Sequence, residues 1–168
     1  MVLNNDNMFW NRKLRVKPIV LADGLIAEFI DKPLYQLAPE KQISSEASLA
    51  FNSKLKLYQF ACVLLAVLKK ESKNAAYSPV RDHLEKKFFP ATFAQGANML
   101  DEVRCAMRDL DELFTPKDKP QYMPWACKWF STVGIDENNP VTLSLFVFSW
   151  TDHFIAINKS FERFTVVA

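Results

Sequence analysis

The sequence predicts an all-α protein, a single-domain bundle of five to seven helices with an extended N-terminal arm. Three observations carry this. Apolar residues recur every three to four positions over most of the chain beyond residue 43, the spacing of one helix face. Capping side chains and prolines punctuate those stretches. β-like composition is confined to "VKPIVL" and the terminal "FTVV". A chain of 168 residues suits one domain and needs no staples, since it can bury roughly 70% of its unfolded surface.

The elements follow in order. Residues 1–22 hold "NNDN" and then the basic, aromatic run "FWNRKLRVKPIVL", which reads as an irregular arm lying on a bundle domain over 23–168. Asp23 is placed to cap a short helix over 24–31, closed by Pro33. A long helix spans 43–70, with Ala47, Phe51, Tyr58, Ala61, Leu65 and Leu68 at helical spacing. Its first half carries polar positions at Asn52, Ser53, Lys56 and Gln59. Its second half is apolar on every side and is expected to be buried on every side.

"YSPVRDHLEKKFFP" states its own limits: Ser78 as N-cap, Pro79 in the first turn, Pro90 as the stop. Val80, Leu84 and Phe88 form its apolar face, while Arg81–Glu85 and Asp82–Lys86 are spaced as ion pairs on a solvated one. Thr92 and Gln95 make a capping box for a helix over 93–114. There Phe93, Ala97, Leu100, Val103, Met107, Leu110 and Phe114 form one stripe, opposite Asp101, Glu102, Arg108, Asp109 and Glu112. After the loop "TPKDKPQ", a short helix is expected near 124–133, with Gly134 just past its end. Asn139-Pro140 opens the last helix, which runs to 157 or as far as 164. The second half of 43–70 and the helix from 140 are expected to form the central pair.

Several chemistries are excluded. Three scattered glycines, Gly24, Gly96 and Gly134, cannot build a phosphate cradle. The chain has no GxSxG, HExxH or ExxH. "RDHLE" and "TDHF" offer metal-ligand types, but the first reads as an ordinary charged face, so no metal site is assigned. Nor is a cofactor identified. Net charge is +2, from 21 basic and 19 acidic residues, which gives no field for steering nucleic acid. A helix–turn–helix reading of 78–110 fails because the outer face of its second helix is acidic. Cys62, Cys105 and Cys127 contain no CxxC and sit in apolar settings, as inert reduced thiols in a cytosol would. The longest apolar run, "FACVLLAVL", would rise only about 13 Å as a helix, and 141–157 contains Asp152 and His153. Neither is expected to cross a membrane, and a cytoplasmic location is expected.

Two places remain where function can sit. In "YMPWACKWF", Trp125 and Trp129 lie one turn apart, with Tyr122 and Met123 at the entrance. A helix this short must dock by its apolar surface. Either it packs wholly on its own bundle, or Tyr122, Trp125 and Trp129 stay at a groove as partner-binding surface. Phe9 and Trp10 of the arm are candidates to cover the same region, within one chain or across a dimer. The second place is His153. On a helical wheel it falls with Phe146, Trp150 and Ile157, opposite a polar seam of Ser144, Thr151, Asp152, Asn158, Lys159 and Glu162. It is either a core histidine, with Ser149 as its nearest local partner, or part of a pocket with Ser149 and Trp150. The leading expectation is a non-catalytic protein-interaction or adaptor domain that binds a protein partner or self-associates. The alternative is a bundle, or an enzyme, holding a small molecule or cofactor near His153.

Overall fold

The computed structural model describes residues 13–37, 43–89, 93–114 (side chains from 98) and 122–167. Over these the protein is an all-α bundle. Two short strands, β1 (Leu14–Val16) and β2 (Phe164–Val166), enclose six helices in sequence: α1 (Pro18–Phe29), α2 (Ser45–Glu71), α3 (Ser78–Phe88), α4 (Phe93–Phe114), α5 (Tyr122–Ser131) and α6 (Pro140–Arg163). A single 3-10 turn, Ala75–Tyr77, leads into α3.

The ends of these helices show why they start and stop where they do. Ser44 caps α2 by accepting from the Ala47 amide at 3.1 Å. Asn139 does the same for α6 through the Val141 amide at 2.9 Å, with Pro140 in the first turn. Past α5, Gly134 takes φ 73°, and the amides of Ile135 and Gly134 reach back to the carbonyls of Phe130 and Ser131. That is a Schellman closure, and it needs the left-handed conformation that glycine adopts without strain.

α2 is the axis of the fold. Every residue from Tyr58 to Val67 is buried. α4 packs on it most extensively, with α3, α6 and α1 around the remaining sides. Gln59, one of the polar positions read in the first half of this helix, is buried as well. Its amide donates to the carbonyls of Phe29 (2.8 Å) and Lys32 (2.7 Å), groups left without helical partners where α1 ends. Phe146 of α6 is the hub of an aromatic core, with ring centroids at 4.8 Å from both Trp129 and Phe130 and 5.3 Å from Tyr35.

Several expectations need correction. The irregular arm does not extend to residue 22. Leu14–Val16 pairs in parallel with Phe164–Val166, and α1 begins at Pro18, whose fixed φ suits a first turn. Residues 1–12, with Phe9 and Trp10, lie outside the described residues. Asp23 sits within α1, where it accepts from His83 Nε2 at 2.9 Å and tethers α3. Ser78 does not cap α3; it donates instead to Glu71 at 2.7 Å. Arg81 pairs with Glu71 and Asp82 rather than with Glu85. Thr92 of the predicted capping box lies outside the described residues. Most consequential is α6. It is expected to form the central pair with α2 and to face water only along its polar seam, but it buries only one side: Leu143, Phe146, Val147, Trp150, His153, Ile157 and Phe161.

Candidate functional site

The aromatic helix α5 turns largely inward. Trp129 is buried, edge-on to Phe51 at 5.3 Å and to Tyr58 at 5.8 Å. Trp125 is half-buried and stacks on Phe146 at 5.9 Å. Met123 is half-buried against Ser144 of α6, whose hydroxyl lies 3.8 Å from its sulfur. Of the described residues in the predicted partner-binding set, Tyr122 alone is exposed.

His153 is a core residue. Its ring meets Phe29 at 5.5 Å and Trp150 at 6.0 Å, both edge-on, and its Nε2 is buried with no hydrogen-bond partner in the protein. Burial lowers its pKa to about 4, so the ring is neutral near pH 7. Ser149 does not supply a bond to it; that hydroxyl donates to the Leu145 carbonyl at 2.8 Å, along its own helix. His83 is occupied with Asp23, and the described residues hold no cluster of three or more His, Cys, Asp or Glu arranged for a metal.

An open groove of about 1140 Å³ does exist, but elsewhere. Its floor is the first half of α2, and its walls come from α1, α3, α4 and the residues after α5. His153, Ser149 and Trp150 do not line it. Lys54 does, and sequence reasoning passed over it. Its ammonium lies 5.0 Å from the Trp129 ring centroid and 5.4 Å from that of Tyr58, and it hydrogen-bonds the Thr132 hydroxyl. Burial lowers the Lys54 pKa; nearby Lys128 lowers it too, and Asp109 opposes both. Tyr58 donates to Asp109 at 2.7 Å, and burial holds its phenol well above the usual range. Most other charges in the groove are paired, as in Lys56–Asp31, Lys87–Asp23 and Arg104–Asp101. The groove is lined mainly by apolar atoms and brings together no nucleophile, base and orienting group.

The outer face of α6 is the other feature that sequence reasoning missed. Val141 (66% exposed), Leu145 (55%), Phe148 (64%) and Ile155 (43%) stand in one line on the solvent side. Asp152 and Lys159 are exposed in the same line. The wheel had placed Asp152 in water, and it is there; its neighbours on that face are apolar. Both α2 and α6 are long and apolar enough, by length and composition, to cross a bilayer. In α2 67% of the most apolar window is buried inside the protein; in α6 only 28% is. The core thus accounts for the apolar character of α2 and leaves that of α6 unexplained.

The chain matches no protein-family model, no curated protein and no solved structure.

Proposed function

We propose that this chain is a non-catalytic protein-interaction domain whose docking surface is the outer face of α6. The observation that carries this reading is the line of four large, exposed apolar side chains from Val141 to Ile155, which runs about 21 Å along one helix. Scattered single exposures need no explanation on a protein surface; an ordered stripe marks a surface that something covers. The free state of Cys62, Cys105 and Cys127 suits a reducing compartment.

A second reading, small-molecule binding, is supported by the groove at Lys54 rather than by His153. It is the weaker of the two, since the groove is open and most of its charges are already neutralised by neighbours.

The test is a photo-crosslinking amino acid placed at Phe148 in the cell, against a control at exposed Lys73. Protein adducts at position 148 and none at 73 are expected. No adduct at 148, or equal labelling at both positions, would remove α6 as the docking surface.

A further inference from the structure

We propose that the occupant of this face is a second copy of the same chain, with the two α6 helices packed antiparallel about a two-fold axis. This rests on the interaction-domain reading and adds the identity and geometry of the partner.

The spacing is the first argument. Val141, Leu145, Phe148, Asp152, Ile155 and Lys159 are separated by 4, 3, 4, 3 and 4 residues. That is the a/d rhythm of a two-helix seam, sustained over more than two heptads. The core-facing residues Phe146, Trp150, His153, Ile157 repeat the same rhythm on the opposite side. α6 therefore carries two seams, and its own chain fills one of them. The spacing of the outer seam reads the same in both directions, so a two-fold axis can set it level with its own copy, as an isologous contact requires.

Asp152 decides the orientation. In a parallel pair the two Asp152 carboxylates would meet at the same level of the seam, which places like charges face to face out of water. An antiparallel pair separates them. One antiparallel register uses all six seam positions: Leu145 faces Ile155, Phe148 lies level with Asp152, and Val141 lies level with Lys159, whose stem can cover apolar surface while its amine reaches water. The two Asp152 residues are then four positions apart along the axis, about 6 Å, at the edge of the Phe148 rings.

A membrane surface is the competing occupant. Helices that lie on lipid carry Lys and Arg beside the apolar stripe. Here the charge within the stripe is Asp152, at its middle, with a single Lys159 at one end. That pattern opposes insertion and favours a protein seam.

Sedimentation equilibrium on the purified full chain tests the proposal. A monomer–dimer equilibrium is expected with dissociation on the order of tens of micromolar, because a single helix pair lies at the small end of specific interfaces. Phe148→Lys should leave only monomer at the same concentrations while keeping the urea midpoint of the dilute wild type. Asp152→Asn should tighten the dimer several-fold, since no charge then enters the seam. Val141→Cys, spin-labelled with Cys105 and Cys127 replaced by Ser, should show nitroxides about 27 Å apart along the axis, against about 10 Å for a parallel pair.

A chain monomeric to several hundred micromolar overturns the proposal. So does a dimer indifferent to Phe148→Lys, a short nitroxide distance, or a monomer that binds anionic phosphatidylglycerol vesicles through Phe148. The two levels fail separately. Crosslinks from position 148 to a different protein remove the second copy and leave the interaction domain standing; no crosslink at all removes both.

Discussion

Two helices of this chain are long and apolar enough to cross a bilayer, and the fold treats them differently. From Tyr58 to Val67, α2 is enclosed on every side. From Val141 to Ile155, α6 has one side in the core and the other in water. Their mean hydropathy is alike, 1.2 and 1.3; the difference is where the neighbours sit. α2 has α1, α3, α4 and α6 around it, whereas α6 is packed by α5, α2 and α1 on one side and leads into β2. Apolar character thus states a need for cover. It does not state that the same chain supplies it.

The sharpest way to break this comparison uses two phenylalanines two positions apart on α6. Phe146→Ala empties the aromatic hub and should cost about 3–5 kcal/mol of unfolding free energy. Phe148→Ala in dilute protein should change it by no more than about 0.5 kcal/mol. Urea titrations of both variants check this, and similar losses would show that the outer face is covered within the monomer.

The next effect concerns His153, on the covered side of α6. Its folded pKa, about 4, lies below the unfolded value near 6.5, so the unfolded chain takes up the proton first. The contribution of the neutral ring is fully present above about pH 6.5. It is lost as pH falls toward 4, and levels off below that. The loss should reach up to about 3 kcal/mol, read as the difference between wild type and His153→Gln in urea titrations from pH 7.5 to 4. Parallel pH profiles for the two proteins would place His153 in contact with water.

The smallest of the three effects probes spare room. Ala66→Leu adds volume inside the enclosed part of α2 and should cost about 1–3 kcal/mol. Leu145→Phe adds volume on the outer face of α6 and should leave the dilute monomer unchanged. Thermal melts at low concentration separate them, and a loss at position 145 would count against an open face there.

Much of the fold was legible in the residues. Asn139 caps α6 where Asn139-Pro140 places it, while the long helix expected from 43 begins at Ser45, behind a Ser44 cap that the spacing alone did not single out. Gly134 closes α5 as a glycine just past a helix should. The start of α1 was misread because Val16, Val20 and Pro18 look like an extended arm, and only Leu14–Val16 behaves that way, by pairing with residues 150 positions away. No local pattern reveals such a partner. The sites were legible in part. The 4-3-4-3-4 spacing on α6 is visible in the letters, but which of its two seams the bundle fills depends on where α5 and α2 settle. Lys54 sits among polar neighbours in sequence; its burial comes from Trp129 and Thr132, more than 70 residues further on.

The parallel pair of Leu14–Val16 with Phe164–Val166 bears on synthesis. As the chain leaves the ribosome, the first strand waits for 150 further positions before its mate exists, and closing so long a loop carries its own entropic cost. α2, α3 and α4 can gather earlier, from contacts nearer in sequence. α6 emerges late, with both of its greasy sides uncovered at once. Until α5 and α2 close on its inner side, exposed apolar surface leaves the chain most open to aggregation.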